Sequence, residues 1–383
     1  MKNERVLIVG AGIAGLALAR GLERVGVDWE LIEREPQQAP VGAGIVLGVN
    51  AMQVLRGLAL DAAIVERGHV LHEMAITDAR GRVLGRSDLG RLAQRFGPSV
   101  AIHRARLHAT LAESVAGNVR FGTTLASLDC EGERARVVTD DGRSRDYALV
   151  VGADGLRSRT RTQLFGEVPI RYAGYTCWRL VARRPEGLER AQEMWGCGQR
   201  FGMVPIDDGE RVYCFAVANA PAGAPDPEQG RVERFRAHFA GFAGPVPQIL
   251  EQVERPDELI HNDLEEVVHR PWYRERGVLV GDAAHAMTPD MGQGAAMALE
   301  DVAALAEELA APGALARGLE AALRRWAERR ERRVRWVQTQ SRRIGKVGQW
   351  RGRRACALRN ALVSAVPDRL AERALVRLAE QRS

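Results

Sequence analysis

Short apolar runs that each end at a glycine recur at three distant points of the chain. They precede Gly10, Gly152 and Gly281. Continuous apolar runs of this length are typical of strands buried on both faces of a parallel sheet. The first run is followed by apolar residues at helical spacing up to Gly26 and then by a second strand at 29–32. The pattern predicts a βαβ unit in a sheet that collects strands from both ends of the chain.

Between these runs, apolar and polar residues alternate, as in antiparallel strands with one covered face. The alternation predicts one hairpin that turns at 78–81 and another segment that turns at Asp141-Gly142. From 171 to 218 the chain is rich in strand-forming residues, and an amphipathic helix is predicted at 232–242. This stretch holds most of the aromatic side chains, namely Tyr172, Tyr175, Trp178, Trp195, Phe201, Tyr213 and Phe215. A sheet built from it presents aromatic walls to a flat ligand, although most of these rings are expected to fill the core.

We therefore expect an α/β fold in which a Rossmann-type nucleotide-binding domain is interleaved with a mixed-sheet substrate domain and followed by C-terminal helices. At 383 residues the chain is long enough to bury two such cores. The predicted division assigns 1–70, 97–168 and 271–320 to the nucleotide-binding domain, 71–96 and 169–270 to the sheet domain, and 321–383 to the C-terminal helices.

Charge is distributed unevenly along the chain. The net charge is +6, but residues 324–360 hold 14 Lys or Arg and two Glu, so this segment carries +12 and the remainder −6. Such a run is compatible with nucleic acid or an anionic membrane. Trp326, Val334 and Val337 recur near helical spacing inside it, which favours a long helix packed on the body with a solvated basic face. We therefore predict no nucleic-acid partner.

Other bulk features limit where the protein works. No run of about 18 apolar residues occurs, and the first strand begins within a few residues of Met1. We expect no stable membrane insertion, no signal peptide and a cytoplasmic location. The five cysteines are scattered without metal-binding spacing, so no metal is predicted.

The first βαβ unit carries candidate chemistry. Gly10, Gly12 and Gly15 fit G-x-G-x-x-G, in which glycines allow a tight turn, close approach of a pyrophosphate and close packing of the helix. Glu33 follows the second strand, where a carboxylate can accept hydrogen bonds from ribose hydroxyls. This unit predicts a bound dinucleotide and leaves open whether it is FAD or NAD.

Two further motifs follow the other buried strands. Asp154 and Arg161 belong to D-G-x-x-S-x-x-R, where Asp154 can alternatively cap the next helix. Asp282 ends the third strand, and a helix is predicted to open near Gly292-Gln293-Gly294, where its N–H groups suit an anionic ring edge. His285 is better explained by a packing or capping role than by catalysis.

The ordered motifs G-A-G-I-A-G with Glu33, G-A-D-G-x-x-S-x-x-R and G-D-A-A-H-x-x-x-P-x-x-G-Q-G resemble the single-component FAD-dependent aromatic hydroxylases, which include the para-hydroxybenzoate and salicylate hydroxylases. The likeness runs from residue 5 to about 340. It implies a glutathione-reductase-like FAD fold, bound FAD, and NADH or NADPH as a transient co-substrate. It also implies a reaction in which O₂ adds to the flavin and the C4a-hydroperoxide hydroxylates a small planar aromatic or heteroaromatic substrate, in a monomer or homodimer.

By resemblance, FAD contacts fall on the three motifs and on nearby positions. Many relatives have Asn where this chain has Ala296, a change that backbone contacts to the flavin tolerate. The implied cofactor-binding residues are Gly10, Gly12, Ala14, Gly15, Glu33, Arg34, Gly44, Arg104, Asp154, Arg161, Asp282, Pro289, Gly292, Gln293, Gly294 and Ala295.

In motif detail the chain is most similar to the FAD-dependent urate hydroxylases. That likeness implies that Arg200 pairs an anionic substrate, Tyr213 positions it, and Asp290 acts as a base or orders a water. The structural alternatives are a surface ion pair for Arg200, a packed sheet residue for Tyr213 and a helix cap for Asp290.

Two other functions remain open at this point. Related reductases and epoxidases that act on isoprenoids share these motifs. A plain NAD-binding dehydrogenase or binding module is disfavoured, because it leaves the second and third motifs unexplained.

Overall fold

The three glycine-terminated apolar runs lie side by side, in parallel, in one sheet. They form its central strands in the computed structural model, which describes residues 4–37, 42–115, 117 and 119–380. The described strands are β1 (Val6–Val9), β2 (Trp29–Ile32), β3 (Gly44–Leu47), β4 (His69–Leu71), β5 (Glu73–Asp78), β6 (Val83–Asp88), β7 (Ser99–His103), β8 (Val119–Arg120), β9 (Leu125–Asp129), β10 (Ala135–Thr139), β11 (Ser144–Tyr147), β12 (Leu149–Gly152), β13 (Ile170–Arg183), β14 (Ala191–Trp195), β15 (Gln199–Ile206), β16 (Arg211–Asn219), β17 (Ile260–Val267), β18 (Tyr273–Arg274) and β19 (Gly277–Leu279).

Helices cover these sheets and form the C-terminal part of the described chain. Short 3₁₀ turns occur at Pro256–Glu258 and Pro289–Met291. The α-helices are α1 (Ile13–Arg24), α2 (Val49–Gly57), α3 (Asp61–Arg67), α4 (Leu89–Phe96), α5 (Arg104–Glu113), α6 (Arg159–Phe165), α7 (Arg231–Phe239), α8 (Val246–Gln252), α9 (Asp282–His285), α10 (Gly294–Leu309), α11 (Leu319–Gly348), α12 (Arg353–Ser364) and α13 (Asp368–Glu380). None of the described helices is both long and apolar enough to cross a bilayer.

The nucleotide-binding sheet has the order β18-β19-β12-β1-β2-β8. β1 pairs in parallel with both β12 and β2, and β12 pairs in parallel with β19. Each of these four strands is buried along its whole length, as expected for the central strands of a parallel sheet. The sheet therefore brings the carboxyl ends of β1, β12 and β19, and with them the three motifs, to one edge.

A second sheet, of seven strands, has the order β17-β13-β16-β15-β14-β5-β6. The predicted hairpin of β5 with β6 is confirmed, and β14 joins β5 in parallel, which makes the sheet mixed. One face packs on α7 and α8 through Phe201, Phe235 and Phe239. The predicted helix at 232–242 ends three residues early, but Phe242 is still buried.

The long basic helix is confirmed as α11, but its basic face is not solvated throughout. Arg330 and Arg333 are buried and pair with Glu300, and Arg330 also pairs with Asp301. Both arginines stand on the side of α11 that also carries Trp326 and Val334, so they face α10 rather than water. Buried charges of this kind are tolerated because each has an opposite charge and hydrogen bonds.

Candidate active site

Each glycine of the first motif has a separate steric reason. Gly10 adopts φ +105°, and a Cβ there would lie 2.7 Å from the Ala153 carbonyl oxygen. A Cβ on Gly15 would lie 1.8 Å from the Gly10 carbonyl oxygen, so the close approach of α1 to β1 requires glycine. A Cβ on Gly12 would meet nothing within 4 Å. The backbone at Gly12 is thus open to a ligand, as pyrophosphate binding requires.

Glu33 is held beside this turn. Its Oε2 accepts a hydrogen bond from the Ala11 N–H at 2.6 Å, and Oε1 accepts one from Glu35 N–H at 3.0 Å. The first turn of α1 carries no acidic side chain, and its N-cap, Gly12, makes no side-chain hydrogen bond. A helix N-terminus next to a fixed carboxylate fits the phosphate and ribose of a dinucleotide.

Three other predicted cofactor residues lie around this turn. Ala14 packs towards the third motif, since a Cβ on Gly281 would lie 3.4 Å from the Ala14 Cβ. Arg34 is exposed and pairs only with its neighbour Glu35 in the described part of the chain. Arg104 begins α5 with an exposed side chain.

The second motif uses its polar side chains internally. Ser158 is the N-cap of α6, and Asp154 supports this helix start by accepting hydrogen bonds from the Thr160 N–H at 2.9 Å and the Ser158 hydroxyl at 2.5 Å. Arg161 is buried and donates to the carbonyl oxygens of Ala283 at 2.9 Å and Leu156 at 2.8 Å. The bond from Arg161 to Ala283 ties the second motif to the third, whereas the bonds of Asp154 stay within the second motif.

The start of the third motif is fixed by Asp301. Its carboxylate accepts from the Gly281 N–H at 3.0 Å and contacts His285 Nε2 at 2.5 Å. Burial opposes ionisation of Asp301, but His285 and Arg330 outweigh it and lower the pKa of this carboxyl. His285 also packs on Trp272, so the packing interpretation of this histidine is the better one. Asp282, by contrast, is exposed at the start of α9.

The G-Q-G loop leads into α10 as expected. Gly292 adopts φ +63°, and Gln293 precedes the helix, which begins at Gly294 with Ala295 in its first turn. This first turn carries no acidic side chain, so the positive end of the helix dipole remains available to an anionic ring edge. The Gln293 amide oxygen accepts from Asn50 Nδ2 at 2.9 Å, a partner that sequence analysis missed.

Beside this loop lies a buried polar cluster of Tyr175, Glu193, Arg200 and Asp290. Arg200 Nη2 lies 2.5 Å from Asp290 Oδ1, and Arg200 Nη1 lies 3.0 Å from Glu193 Oε1. The Tyr175 hydroxyl donates to Asp290 Oδ2 at 2.7 Å. Arg200 therefore does not form a surface ion pair, and a helix cap describes Asp290 poorly, because both side chains are almost completely buried.

Burial sets the titration behaviour of this cluster. It raises the pKa of Glu193, and Arg200 opposes that shift. It raises the pKa of Tyr175, and the neighbouring Asp290 adds to the effect, so the phenol stays protonated. Burial alone would lower the pKa of Arg200, but Glu193 and Asp290 raise it, so this guanidinium stays charged.

Tyr213 lies on the same face of the sheet as Arg200. The cross-strand partner of Arg200 is Val217, and Tyr213 lies four residues before Val217 on β16. Its ring packs on Gly44, where an added Cβ would lie 2.4 Å from the Tyr213 Cβ. Burial raises the pKa of Tyr213, and a hydrogen bond from Arg179 partly offsets that shift. Tyr213 therefore joins the predicted substrate sheet to the predicted cofactor loop and lies outside the Asp290 cluster.

The sheet face between these two polar groups is mostly apolar but also carries Arg179, the cross-strand partner of Phe215. This face carries the side chains of Cys177, Phe215 and Val217 together with those of Tyr175 and Tyr213. The ring of Phe215 lies so close to Gly202 that an added Cβ would be 2.0 Å away from it. The predicted aromatic wall is thus built from Tyr175, Tyr213 and Phe215, whereas Trp178 and Phe201 face the opposite core.

The last turns of α11 cover the cluster, which the sequence did not predict. A Cβ on Gly345 would lie 2.2 Å from the Tyr175 hydroxyl and 2.5 Å from Asp290 Oδ2, and one on Gly348 would lie 3.0 Å from Arg200 Cδ. Ser341 donates to the Thr288 carbonyl oxygen at 2.6 Å. The sequence feature that could have indicated this contact is the spacing of Ser341, Gly345 and Gly348, which places three small residues on one face of the helix.

Comparisons with known proteins place this geometry in context. Residues 3–341 match the family described as FAD binding domain. The chain belongs to this family. It is 40% identical over 369 residues to 2-heptyl-3-hydroxy-4(1H)-quinolone synthase of Pseudomonas aeruginosa, covering 95% of this chain and 94% of that protein. It is 39% identical over 363 residues to aurachin C monooxygenase/isomerase of Stigmatella aurantiaca, covering 94% and 93%.

Solved structures share the fold. The structure of Klebsiella pneumoniae HpxO with FAD and uric acid matches with a TM-score of 0.90 at 25% identity, covering 99% of this chain and 97% of that one. The predictions of the fold class, of FAD as cofactor and of an FAD-dependent monooxygenase acting on aromatic or heteroaromatic rings are therefore confirmed. The individual site residues stay predictions.

Proposed function

We propose that this monooxygenase hydroxylates an uncharged heteroaromatic ring that bears an N–H group, of the 4(1H)-quinolone class, with NADH or NADPH and O₂ as co-substrates. The observation that carries the proposal is the pairing of Arg200 with two carboxylates. A guanidinium whose charge is already balanced has little to offer an anionic substrate. The similarity over nearly the whole chain to a quinolone synthase supports the same substrate class.

Asp290 is the proton acceptor in this proposal. Arg200 and Tyr175 bond one carboxylate oxygen each, which fixes the plane of the group and leaves a lone pair on each oxygen. Removal of the ring N–H proton puts negative charge into the ring and makes the carbon beside the carbonyl more nucleophilic. A positioned base typically contributes about 10²-fold or more to the rate.

The remaining residues hold and shield the reactants. Phe215 and the neighbouring apolar side chains give the ring a dry wall, while Tyr213 and Arg179 supply donors for a ring carbonyl. We assign the ADP half of FAD to the first motif with Glu33, and the ring system to the loop from Pro289 to Ala295. When bound, FAD supplies the redox chemistry and the activated oxygen.

The test compares a 2-alkyl-4(1H)-quinolone with its N-methyl analogue and with urate on the FAD-loaded protein. NAD(P)H loss, peroxide and hydroxylated product are measured together. The proposal expects product from the N–H quinolone with little peroxide, and a loss of at least about 10²-fold in product rate with the N-methyl compound. Equal product rates from both quinolones would refute Asp290 as the base. Hydroxylation of urate in preference to both quinolones would refute the substrate class.

Asp290→Asn gives an independent check on the same step. The amide keeps the shape but accepts no proton, so the N–H quinolone should lose about 10²-fold in product rate while FAD stays bound. Tyr175→Phe is the matched control, because it removes one hydrogen bond to Asp290 and keeps the carboxylate. It should retain most of the activity.

A further inference from the structure

The outer face of α12 is apolar although it faces solvent. Its inner face is anchored by Arg359, which is buried and donates to the carbonyl oxygens of Gly348 and Gly196, each at 2.9 Å. Cys356 is buried beside it. The opposite side carries the exposed residues Ala357, Leu358, Ala361 and Leu362, and the exposed Ala365 and Val366 follow just beyond the end of the helix.

Leu358 and Leu362 lie one helical turn apart on α12, and Val366 follows two residues after the helix ends at Ser364. Their exposed fractions are 57%, 56% and 48%, the three highest values among the large hydrophobic residues of the described chain. Single exposed apolar residues need no explanation, but a contiguous stripe marks an interaction surface. We call these three residues the α12 stripe.

Exposed positive charges are concentrated on the end of α11 and in the chain that leads into α12. Arg343, Lys346, Arg351, Arg353 and Arg354 are exposed, and none of them forms an ion pair with a residue that the structure describes. From 332 to 367 the chain contains ten Lys or Arg and no Asp or Glu. Arg354 precedes Leu358 by one turn, so the charge lies at the N-terminal end of the stripe.

We propose that α12 docks this enzyme on the surface of an anionic lipid bilayer. Apolar side chains on one face with cations at its border are the features by which a helix lies in the headgroup region. Twelve residues are too few to span a bilayer, so the helix lies on it. Charge favours a lipid surface over a second copy of this chain, because a copy brings the same cations and no acidic residue from this segment.

The position of α12 gives such docking a use. α11 ends at Gly348, which packs on Arg200, and Arg359 of α12 donates to the Gly348 carbonyl oxygen. The docking face and the wall of the substrate cluster are therefore two sides of one short segment. A substrate ring with an alkyl chain partitions into lipid, so it would be available at the bilayer surface on which the enzyme docks. This use of docking rests on the proposed function, whereas the docking itself does not.

The test is co-sedimentation of the FAD-loaded protein with vesicles, which needs no turnover. Vesicles of equal parts phosphatidylcholine and phosphatidylglycerol should bind the protein, and phosphatidylcholine alone should bind it far less. L358S with L362S should lower the partition coefficient by about 30-fold, since the bilayer would bury only the exposed part of each leucine. R353Q with R354Q should lower it by about 20-fold, and added salt should do the same.

Matched controls use residues of the same type elsewhere on the surface. Val65→Ser removes an exposed apolar side chain from α3, and Arg24→Gln removes an exposed cation from α1; both should bind vesicles like the wild type. Failure of the wild type to bind either vesicle would overturn the proposal. So would light scattering that shows a dimer which L358S with L362S dissociates, because the stripe would then be an interface between copies.

Discussion

Gly345 offers a sharp test of the site, because two opposing effects predict opposite signs for Gly345→Ala. In a helix interior, Ala is about 1 kcal/mol more favourable than Gly, so propensity alone predicts stabilisation. The structure predicts the reverse, since the new Cβ would lie 2.2 Å from the Tyr175 hydroxyl and 2.5 Å from Asp290 Oδ2. Overpacking costs about 1 to 3 kcal/mol, and weakening the bond from Tyr175 to the Asp290 carboxylate costs about 1.5 to 3 kcal/mol.

The net expectation is a loss of about 1.5 to 5 kcal/mol, combined with lower product yield per NAD(P)H because Asp290 is displaced. Thermal unfolding of the FAD-loaded protein gives the first quantity, as a melting temperature several degrees lower, and the peroxide assay gives the second. Gly57→Ala is the matched control, because Gly57 ends α2 and a Cβ there meets nothing within 4 Å. If Gly345→Ala melts at or above the wild type with unchanged yield, the contact of α11 with the cluster is wrong.

Further predictions concern the cofactor motifs and the buried charges. Gly12→Ala should keep nearly normal apoprotein stability and lose FAD affinity in a fluorescence titration, because its Cβ meets no protein atom within 4 Å. Gly15→Ala should lose both stability and FAD affinity, because its Cβ would collide with the Gly10 carbonyl oxygen. Arg330→Met should lower the stability measured by urea unfolding by about 3 to 5 kcal/mol, since Glu300 keeps Arg333 but Asp301 loses its guanidinium. The lowered pKa of Asp301 contributes stability that is present above its ordinary pKa and is lost as the pH falls through the folded value. Asp301→Asn should therefore flatten the acid limb of the stability curve, and an unchanged limb would contradict this.

Local patterns predicted the parts of the fold that depend on neighbouring residues. The runs before Gly10, Gly152 and Gly281 became adjacent strands because an apolar run of this kind has to be buried on both faces. The steric roles of the glycines of the first motif were also predicted correctly, since Gly10 and Gly15 have no room for a Cβ and Gly12 lies open to a ligand. The G-Q-G loop was likewise placed correctly before α10.

Distant pairings were not visible in the sequence. Arg330 and Arg333 look like members of a solvated basic run, because their partners Glu300 and Asp301 stand about 30 residues away on another helix. Tyr175 carried no motif and was assigned only to the aromatic sheet, although it bonds Asp290. Such partners are decided by how elements pack, which a one-dimensional pattern does not contain.

The length of α11 is constrained between Arg333 and Gly345, because each of these residues contacts a different part of the protein. Arg333 is fixed in the charge cluster with α10, and Gly345, twelve residues later, is fixed against Tyr175 and Asp290. Each inserted or deleted residue turns the helix by about 100° and shifts it by about 1.5 Å. A one-residue indel between Arg333 and Gly345 would swing a side chain into the cluster or break the charge pairs. Homologues that keep both features should therefore tolerate substitutions on the outer face of this segment but no change in its length.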